Sequence, residues 1–299
     1  MEIRALSSDD AEALRTLWNQ SATFDVLTPA LLQENVWADA DFDPELALVA
    51  VADQRLAGFG LGIFRPDNGI GYVKMMAVHP DFRRKAIGSA LLAQLEPLLF
   101  ARGASEIRIG EAPPNYLVAG IDTRYTPAVV FFERNGYLRF HEGYNLHCDL
   151  EAEDWATEAE EAQLAARGIT IARALPEDEP AVMDFLAQHF KAWQPEVGKA
   201  FLNQPVSLHL AWKDRKIVAF SAYNVNNQGL PWFGPMGTDP TQRGLGAGGV
   251  LLRRCLRDQK AEGFTYSIIP WVGPYPFYAY YCGAWIERVF WRYHKMRPD

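Results

Sequence analysis

The sequence predicts an α/β protein (α+β by some schemes) built from two tandem domains of one element order. Three observations carry this. The chain has 299 residues, which at roughly 100 to 200 residues per domain suggests two, each large enough to bury its own core. With 49% hydrophobic and 22% charged residues it has the composition of a folded globular protein rather than a disordered one. The two halves also repeat each other, on either side of a short acidic segment.

Taken in order, IRALSSDDAEAL (Ile3 to Leu14) is matched by ARALPEDEPAVM (Ala172 to Met183), and each reads as a short strand entering a helix. LALVAVADQRLAGFGLGIF (Leu46 to Phe64) is matched by HLAWKDRKIVAFSAYNV (His209 to Val225), alternating apolar strands around a polar turn and hence a hairpin. Strands at Tyr72 to Val78 and Trp232 to Met236 then run through a proline turn into a helix. Here VHPDFRRKAIGSALL (Val78 to Leu92) matches TDPTQRGLGAGGVLL (Thr238 to Leu252) at an offset of 160. The helices end near Ala101 to Gly103 and Ala261 to Gly263, and the strands SEIRIG and TYSIIP follow. The last matched glycines, Gly136 and Gly283, differ by 147, so the first half carries 13 extra residues within PPNYLVAGIDTRYTP. Each half reads strand, helix, hairpin, strand, helix, strand, helix, strand.

Charge marks the boundary. Residues 1 to 150 hold 13 basic and 20 acidic residues, and residues 169 to 299 hold 15 and 11. Between them EAEDWATEAEE (151 to 161) carries six acids and no base, followed by QLAARG. Helix formers dominate it and Gly168 can supply a C-cap, so residues 151–168 are expected to form a solvated acidic linker helix between domains 1–150 and 169–299.

Several function classes fall away. A net charge of -8 argues against nucleic-acid binding. No apolar stretch approaches the ~18 residues of a membrane span, and the start lacks the build of a signal peptide, so a cytoplasmic protein without membrane association is expected. Three cysteines without a Cys-x-x-Cys pair, and six histidines without ligand spacing, predict neither a disulfide scaffold nor a metal site. The oligomeric state stays open between monomer and homodimer.

The two proline turns lead into helices whose first turn holds Arg-x-x-Gly/Ala-x-Gly. Small residues there let the chain wrap closely around a ligand, and the unpaired N–H groups of a helix start face outward, which suits an anion such as a pyrophosphate. A dinucleotide fold is excluded because the glycines follow the third or fourth strand and no matching acidic ribose ligand is placed ~20 residues on; a Walker loop is excluded because no Gly-Lys-Ser/Thr ends either turn.

With Arg83-Arg84-Lys85-Ala86-Ile87-Gly88-Ser89 and FFERNGY (Phe131 to Tyr137) in one half, and Arg243-Gly244-Leu245-Gly246-Ala247-Gly248 and FYAYYCGA (Phe277 to Ala284) in the other, the chain resembles a tandem member of the acyl-CoA-dependent GNAT N-acetyltransferases. The resemblance covers both halves. It implies two GNAT-type domains, each a mixed, mostly antiparallel sheet flanked by helices, with acetyl-CoA as cosubstrate and no metal. By that resemblance the coenzyme pyrophosphate sits on Arg83, Arg84, Lys85, Ala86, Ile87, Gly88 and Ser89, and in the second half on Arg243, Gly244, Leu245, Gly246, Ala247, Gly248 and Gly249. The splayed strand before each loop, at Ala77-Val78 and at Met236-Gly237, is expected to polarise the thioester carbonyl, an oxyanion contact typically contributing ~3 kcal/mol.

Two departures bear on catalysis. Ala86 stands where the motif prefers glycine, and Phe132 stands where relatives place the tyrosine that protonates the leaving thiolate; phenylalanine has no proton to donate. Tyr116 and Tyr125 in the insertion are the alternative acids in the first half, unless it lacks one. In the second half that position is Ala279, and Tyr278 is favoured, then Tyr281. An aliphatic amine stays protonated to about pH 10, so a base is needed. The strand before each loop holds no acid, which leaves Glu111 and Asp122 as the nearest carboxylates, to be weighed against plain surface solvation. His79, beside Pro80, reads as turn structure, and the ten aromatic residues between Trp271 and Tyr293 as core filling in the main. The expected function is acetyl transfer from acetyl-CoA to a primary amine of a small molecule by direct attack, with coenzyme in both halves. The rival is an acyl-CoA sensor or pseudo-enzyme with one or both sites inactive.

Overall fold

The computed structural model describes residues 1–298. In chain order the elements are β1 Glu2–Ala5, α1 Ala11–Ser21, α2 Pro29–Leu32, β2 Ala47–Ala52, β3 Arg55–Arg65, β4 Ile70–Val78, α3 Ile87–Ala101, β5 Glu106–Ile109, β6 Ile121–Asp122, α4 Thr126–Arg134 and β7 Leu138–Asp149. There follow α5 Glu158–Ala165, β8 Ile169–Arg173, α6 Glu179–His189, α7 Gln194–Gly198, β9 Leu208–Lys213, β10 Lys216–Tyr223, β11 Phe233–Thr238, α8 Ala247–Ala261, β12 Tyr266–Ile269, α9 Tyr275–Cys282 and β13 Trp285–Met296. The order is that of a repeated α/β unit.

The chain divides into two compact units, one of Met1–Gly143 with the chain from Val289 onward, the other of Tyr144–Arg288. In the first, the sheet runs β1-β2-β3-β4-β5, antiparallel except for the parallel β4/β5 pair. It is continued by the far end of β13, antiparallel to β5 with His294 opposite Arg108. The β2/β3 turn places Asp53 and Gln54 at φ 49 and 60, the pair of positive angles a two-residue hairpin of this twist requires. Helix α3 buries Ile87, Leu91, Leu92, Leu95 and Leu99 at helical spacing. It lies close on β3 because Gly58 and Gly60 have no side chain there; a Cβ would come within 2.7 Å of Ile87 and 2.8 Å of Leu95.

The second unit repeats this. Its sheet is β11-β10-β9-β8, all antiparallel, with Asp214 and Arg215 at φ 50 and 63 in the matching hairpin turn. Helices α3 and α8 have 15 residues each. β12 pairs with Leu146 to Asp149 of β7.

Two expectations are corrected here. The first unit ends at Gly143, not 150, and takes in the chain from Val289, while the second begins at Tyr144. A repeat read along the chain assigns each closing strand to the half it follows, whereas pairing assigns the end of β7 to β12 and the end of β13 to β5. Nor is the segment 151–168 a solvated linker helix. Only Glu158–Ala165 is α-helical, and it is docked within the second unit by ion pairs to α8: Arg253 to Glu160 and Arg257 to Glu158 at 2.8 Å, Arg254 to Glu161 at 2.7 Å. Just ahead of it, fully buried Trp155 donates its indole N–H to the Leu150 carbonyl. The helix is capped at Ala166 rather than at Gly168, which turns the chain two residues further on at φ 76. Among the described residues no helix is long and apolar enough to cross a membrane.

Candidate active site

In the first unit β4 carries a bulge. Its register against β3 shifts between Leu61↔Met75 and Gly62↔Val73, which leaves Lys74 as the extra residue. On the other edge, pairing with β5 stops at Val73↔Ile109, and the Gly110 N–H makes a last bond to the Val73 carbonyl. β4 runs on to Val78, while the chain after Gly110 turns away and returns at Gly120 through a narrow neck, where a Cβ on Gly110 would lie 2.7 Å from the Gly120 carbonyl. The two strands therefore part, and residues 73–78 line an open cleft.

Past β4 the chain is tightly constrained. His79 Nδ1 accepts the Asp81 N–H at 3.2 Å, so the ring proton sits on Nε2 and is donated to Gln20 Oε1 at 2.6 Å; His79 is turn structure, as expected. Arg84 and Ala86 both adopt left-handed angles, φ 64 and 60. Such alternation turns successive N–H groups toward a common point, and the free N–H groups at the start of α3 join them. Arg83 pins the loop through N–H bonds to the Val78 and Ser21 carbonyls, each 3.1 Å.

The cleft has a volume of about 1360 Å³ and runs from the end of α1 past β4 and the start of α3 to α4. Ala77, Val78, Arg83, Arg84, Ala86, Ile87, Gly88 and Ser89 all line it. Lys85 turns aside, its ammonium 5.1 Å over the Phe82 ring. Phe132 is buried edge-on between Phe131 and Tyr137, and Phe131 rests on Gly88, where a Cβ would lie 3.3 Å from its ring.

The structure places the acid–base candidates differently from the sequence. Glu111 is buried and both its oxygens are taken, by Arg292 and by Arg108. A carboxylate gripped by two guanidiniums is a structural anion, so the expectation of Glu111 as a base is set aside. Asp122 lines the cleft and is held by Arg124 at 2.7 Å. Tyr125, at the start of α4, donates its hydroxyl to Asp25 Oδ2 at 2.9 Å and accepts the Phe24 N–H at 2.8 Å. Both Tyr125 and Asp25 line the cleft. Asp25 had no sequence signal: it stands alone in an aperiodic loop after α1.

A second missed feature lies beside the bulge. Lys74, fully enclosed, donates to Asp39 at 2.7 Å, and Asp39 is also gripped by Arg65 at 2.8 Å. Arg65 reaches on to Asp41 and to the carbonyls of Ala112 and Pro113, where the insertion begins. Burial alone would raise the Asp39 carboxyl, but Arg65 and Lys74 outweigh it and hold it below the usual carboxylate range. Burial pushes the Lys74 ammonium down to about 8, because the carboxylate opposite is already shared with Arg65. A lysine inside the apolar strand GYVKMMAV was the available clue.

The second unit keeps the loop and sets aromatic rings beside it. Gly244 and Gly246 stand at φ 81 and 93, matching Arg84 and Ala86, and Phe277 packs on Gly248 as Phe131 packs on Gly88. Tyr278 thus takes the place of Phe132, a core position between the rings of Phe233 and Phe277, where burial pushes its hydroxyl well up. Tyr281 lies with its ring against Gly249, and Phe190 lies against Gly237, next to Met236 on β11. Tyr278 and Tyr281 are therefore packing residues, contrary to the acid role expected of them.

Residues 11–120 match the acetyltransferase (GNAT) family. An acetyltransferase of Pectobacterium atrosepticum is 36% identical over 122 residues, which is 40% of this chain and 83% of that protein. Among solved structures, the GCN5-related glucosamine N-acetyltransferase region of a fungal multi-domain GH3 beta-N-acetylglucosaminidase superposes over 98% of this chain with a TM-score of 0.81 at 18% identity; the chain spans 38% of that longer protein. A tandem GNAT protein from the clavulanic acid biosynthesis pathway superposes over 100% of this chain and 99% of its own, with a TM-score of 0.69 at 16% identity. At these identities the two structures share the fold.

Proposed function

The chain belongs to the GNAT acetyltransferase family, and on that premise we propose that it moves an acetyl group from acetyl-CoA to a primary amine of a small molecule in the cleft of its first unit. One observation carries the reading: a single cleft joins the parting of β4 and β5 to the left-handed loop at the start of α3. The loop fits a diphosphate: Arg84, Ala86, Ile87, Gly88 and Ser89 line the cleft, the left-handed angles at Arg84 and Ala86 favour N–H groups turned to one point, and Arg83 and Arg84 bring positive charge beside them. The open edge at Val78, next to the cleft-lining Ala77, fits a thioester carbonyl and supplies a donor for the oxyanion of its tetrahedral intermediate.

Acetyl-CoA supplies the activated carbonyl carbon. The amine enters as its neutral form, its ammonium proton given up to solvent, and Asp25, on the α1 side of the cleft, takes a further proton from the nitrogen as the N–C bond forms. Tyr125 gives its hydroxyl proton to sulfur as the C–S bond breaks. Their 2.9 Å hydrogen bond then returns the proton from Asp25 to Tyr125 and resets the pair. Holding both reactants in one cleft contributes the remaining advantage, by making the encounter effectively intramolecular.

The test is release of free thiol from acetyl-CoA across a panel of small amines. Amine-dependent release by the intact chain, lost on Gly88→Asp, supports the proposal. Coenzyme binding without release for any acceptor in a broad panel would favour a coenzyme sensor.

A further inference from the structure

The two units are built alike, so positions in the second can be compared with those that line the cleft in the first. Helices α1 and α6 have 11 residues each, and the residue that follows is Ala22 in one and Phe190 in the other. At an offset of 160, Ala77 corresponds to Gly237 and Ser89 to Gly249. Four residues beyond the rings that rest on Gly88 and Gly248, Asn135 corresponds to Tyr281. Ala22, Ala77, Ser89 and Asn135 all line the open cleft of the first unit.

In the second unit each of these exchanges pairs a new ring with a lost side chain. A Cβ on Gly237 would lie 2.7 Å from the Phe190 ring, so on β11 the ring stands where the cleft-lining Ala77 carries its methyl group on β4. Phe190 is held there, stacked on Trp193 at 5.2 Å and edge-on to Phe220 at 5.7 Å. A Cβ on Gly249 would overlap the ring of Tyr281, which in turn packs on Phe277 at 4.7 Å. Aromatic rings pressed onto glycine Cα atoms form close-packed contacts, and displacing them forfeits that packing.

We propose that Phe190 and Tyr281 close the second unit's coenzyme groove, so that the protein takes up one acetyl-CoA, in the first unit. The inference rests on the reading of the first cleft as the coenzyme site. It replaces the expectation, from the paired Arg83 and Arg243 loops, of coenzyme in both halves. Of the glycines in and after the second loop, Gly249 makes room for the Tyr281 ring and Gly248 for Phe277, while Gly244 and Gly246 keep only the left-handed turn.

Calorimetric titration of the full chain with acetyl-CoA decides the matter. The expected stoichiometry is one, falling to zero in Gly88→Asp and unchanged in Arg243→Glu. A Phe190→Ala, Tyr281→Asn double variant, which carries the first unit's residues at both places, is expected to bind two. A stoichiometry of two in the unaltered chain, or one site that survives Gly88→Asp and is lost in Arg243→Glu, overturns the proposal, as does a folded double variant that still binds one. Where the double variant does not fold, the two single variants decide. No binding by the unaltered chain would instead defeat the reading of the first cleft itself.

Discussion

Ala86 and Gly246 hold the same left-handed place before their helices, at φ 60 and 93. A Cβ in that conformation costs about 1–2 kcal/mol. Ala86→Gly should therefore stabilise the protein, by about 0.5–1 kcal/mol once the extra freedom of glycine in the unfolded chain is deducted. Denaturant midpoints would show this, with acetyl-CoA affinity retained. A lower midpoint would mean that the methyl group has packing worth more than the strain.

Tyr125→Phe keeps the ring and removes only the proton of the Asp25 pair. Loss of one acid–base group lowers kcat by about 100-fold or more, with KM for acetyl-CoA changed far less, since Tyr125 is not part of the diphosphate loop. Steady-state kinetics on an accepted amine measures both. Unaltered kcat would remove Tyr125 from the chemistry.

Arg65 and Lys74 share Asp39 but not its importance. Arg65→Met leaves Asp39 with one buried partner and strips the Ala112 and Pro113 carbonyls of theirs, and breaking a buried pair in this way costs about 3–5 kcal/mol. Lys74→Met should cost markedly less, because Arg65 still holds Asp39. Its folded-state value of about 8 lies below the ordinary 10.5, so the folded protein sheds this proton first and stability from Lys74 rises across that pH range. Unfolding curves at pH 8 and pH 10 should show the stability of the unaltered protein increasing relative to that of Lys74→Met over this range.

The repeat, the hairpins and the diphosphate loop were legible because each is local: a residue spacing, two positive φ angles, a helix start. The partner of a strand is not local, which is why the exchange of β7 and β13 between units left no mark on the sequence and the boundary was drawn at 150 rather than 143. The same holds in the site. The loop residues Arg83 to Ser89 were found by pattern, whereas Glu111 looked like a free carboxylate until Arg292 reached it from across the chain. Asp25 and Tyr125, one hundred residues apart, meet only in the fold. The spacing around Gly283 misplaced Tyr278 and Tyr281 for a related reason: the ring of Phe277 on Gly248, not the count back from the glycine, sets the register of α9.

In the second unit Glu196 is buried, and burial raises its carboxyl to about 7 against an ordinary 4.5. The folded state thus holds a proton that the unfolded chain has released, so stability from this group is full below pH 4.5 and is lost as pH rises through 7. Glu196→Gln removes the titration and should flatten the decline between those values, a difference of about 3 kcal/mol at neutral pH. Parallel pH profiles of thermal unfolding for the two proteins would contradict the assignment.

Hydrogen exchange with and without acetyl-CoA tests the central claim most directly, because the N–H groups from Val78 to Ser89 are the proposed contacts. The account predicts slowed exchange across residues 75–90 and none across 236–250. Unchanged exchange at 75–90 under saturating acetyl-CoA would contradict it.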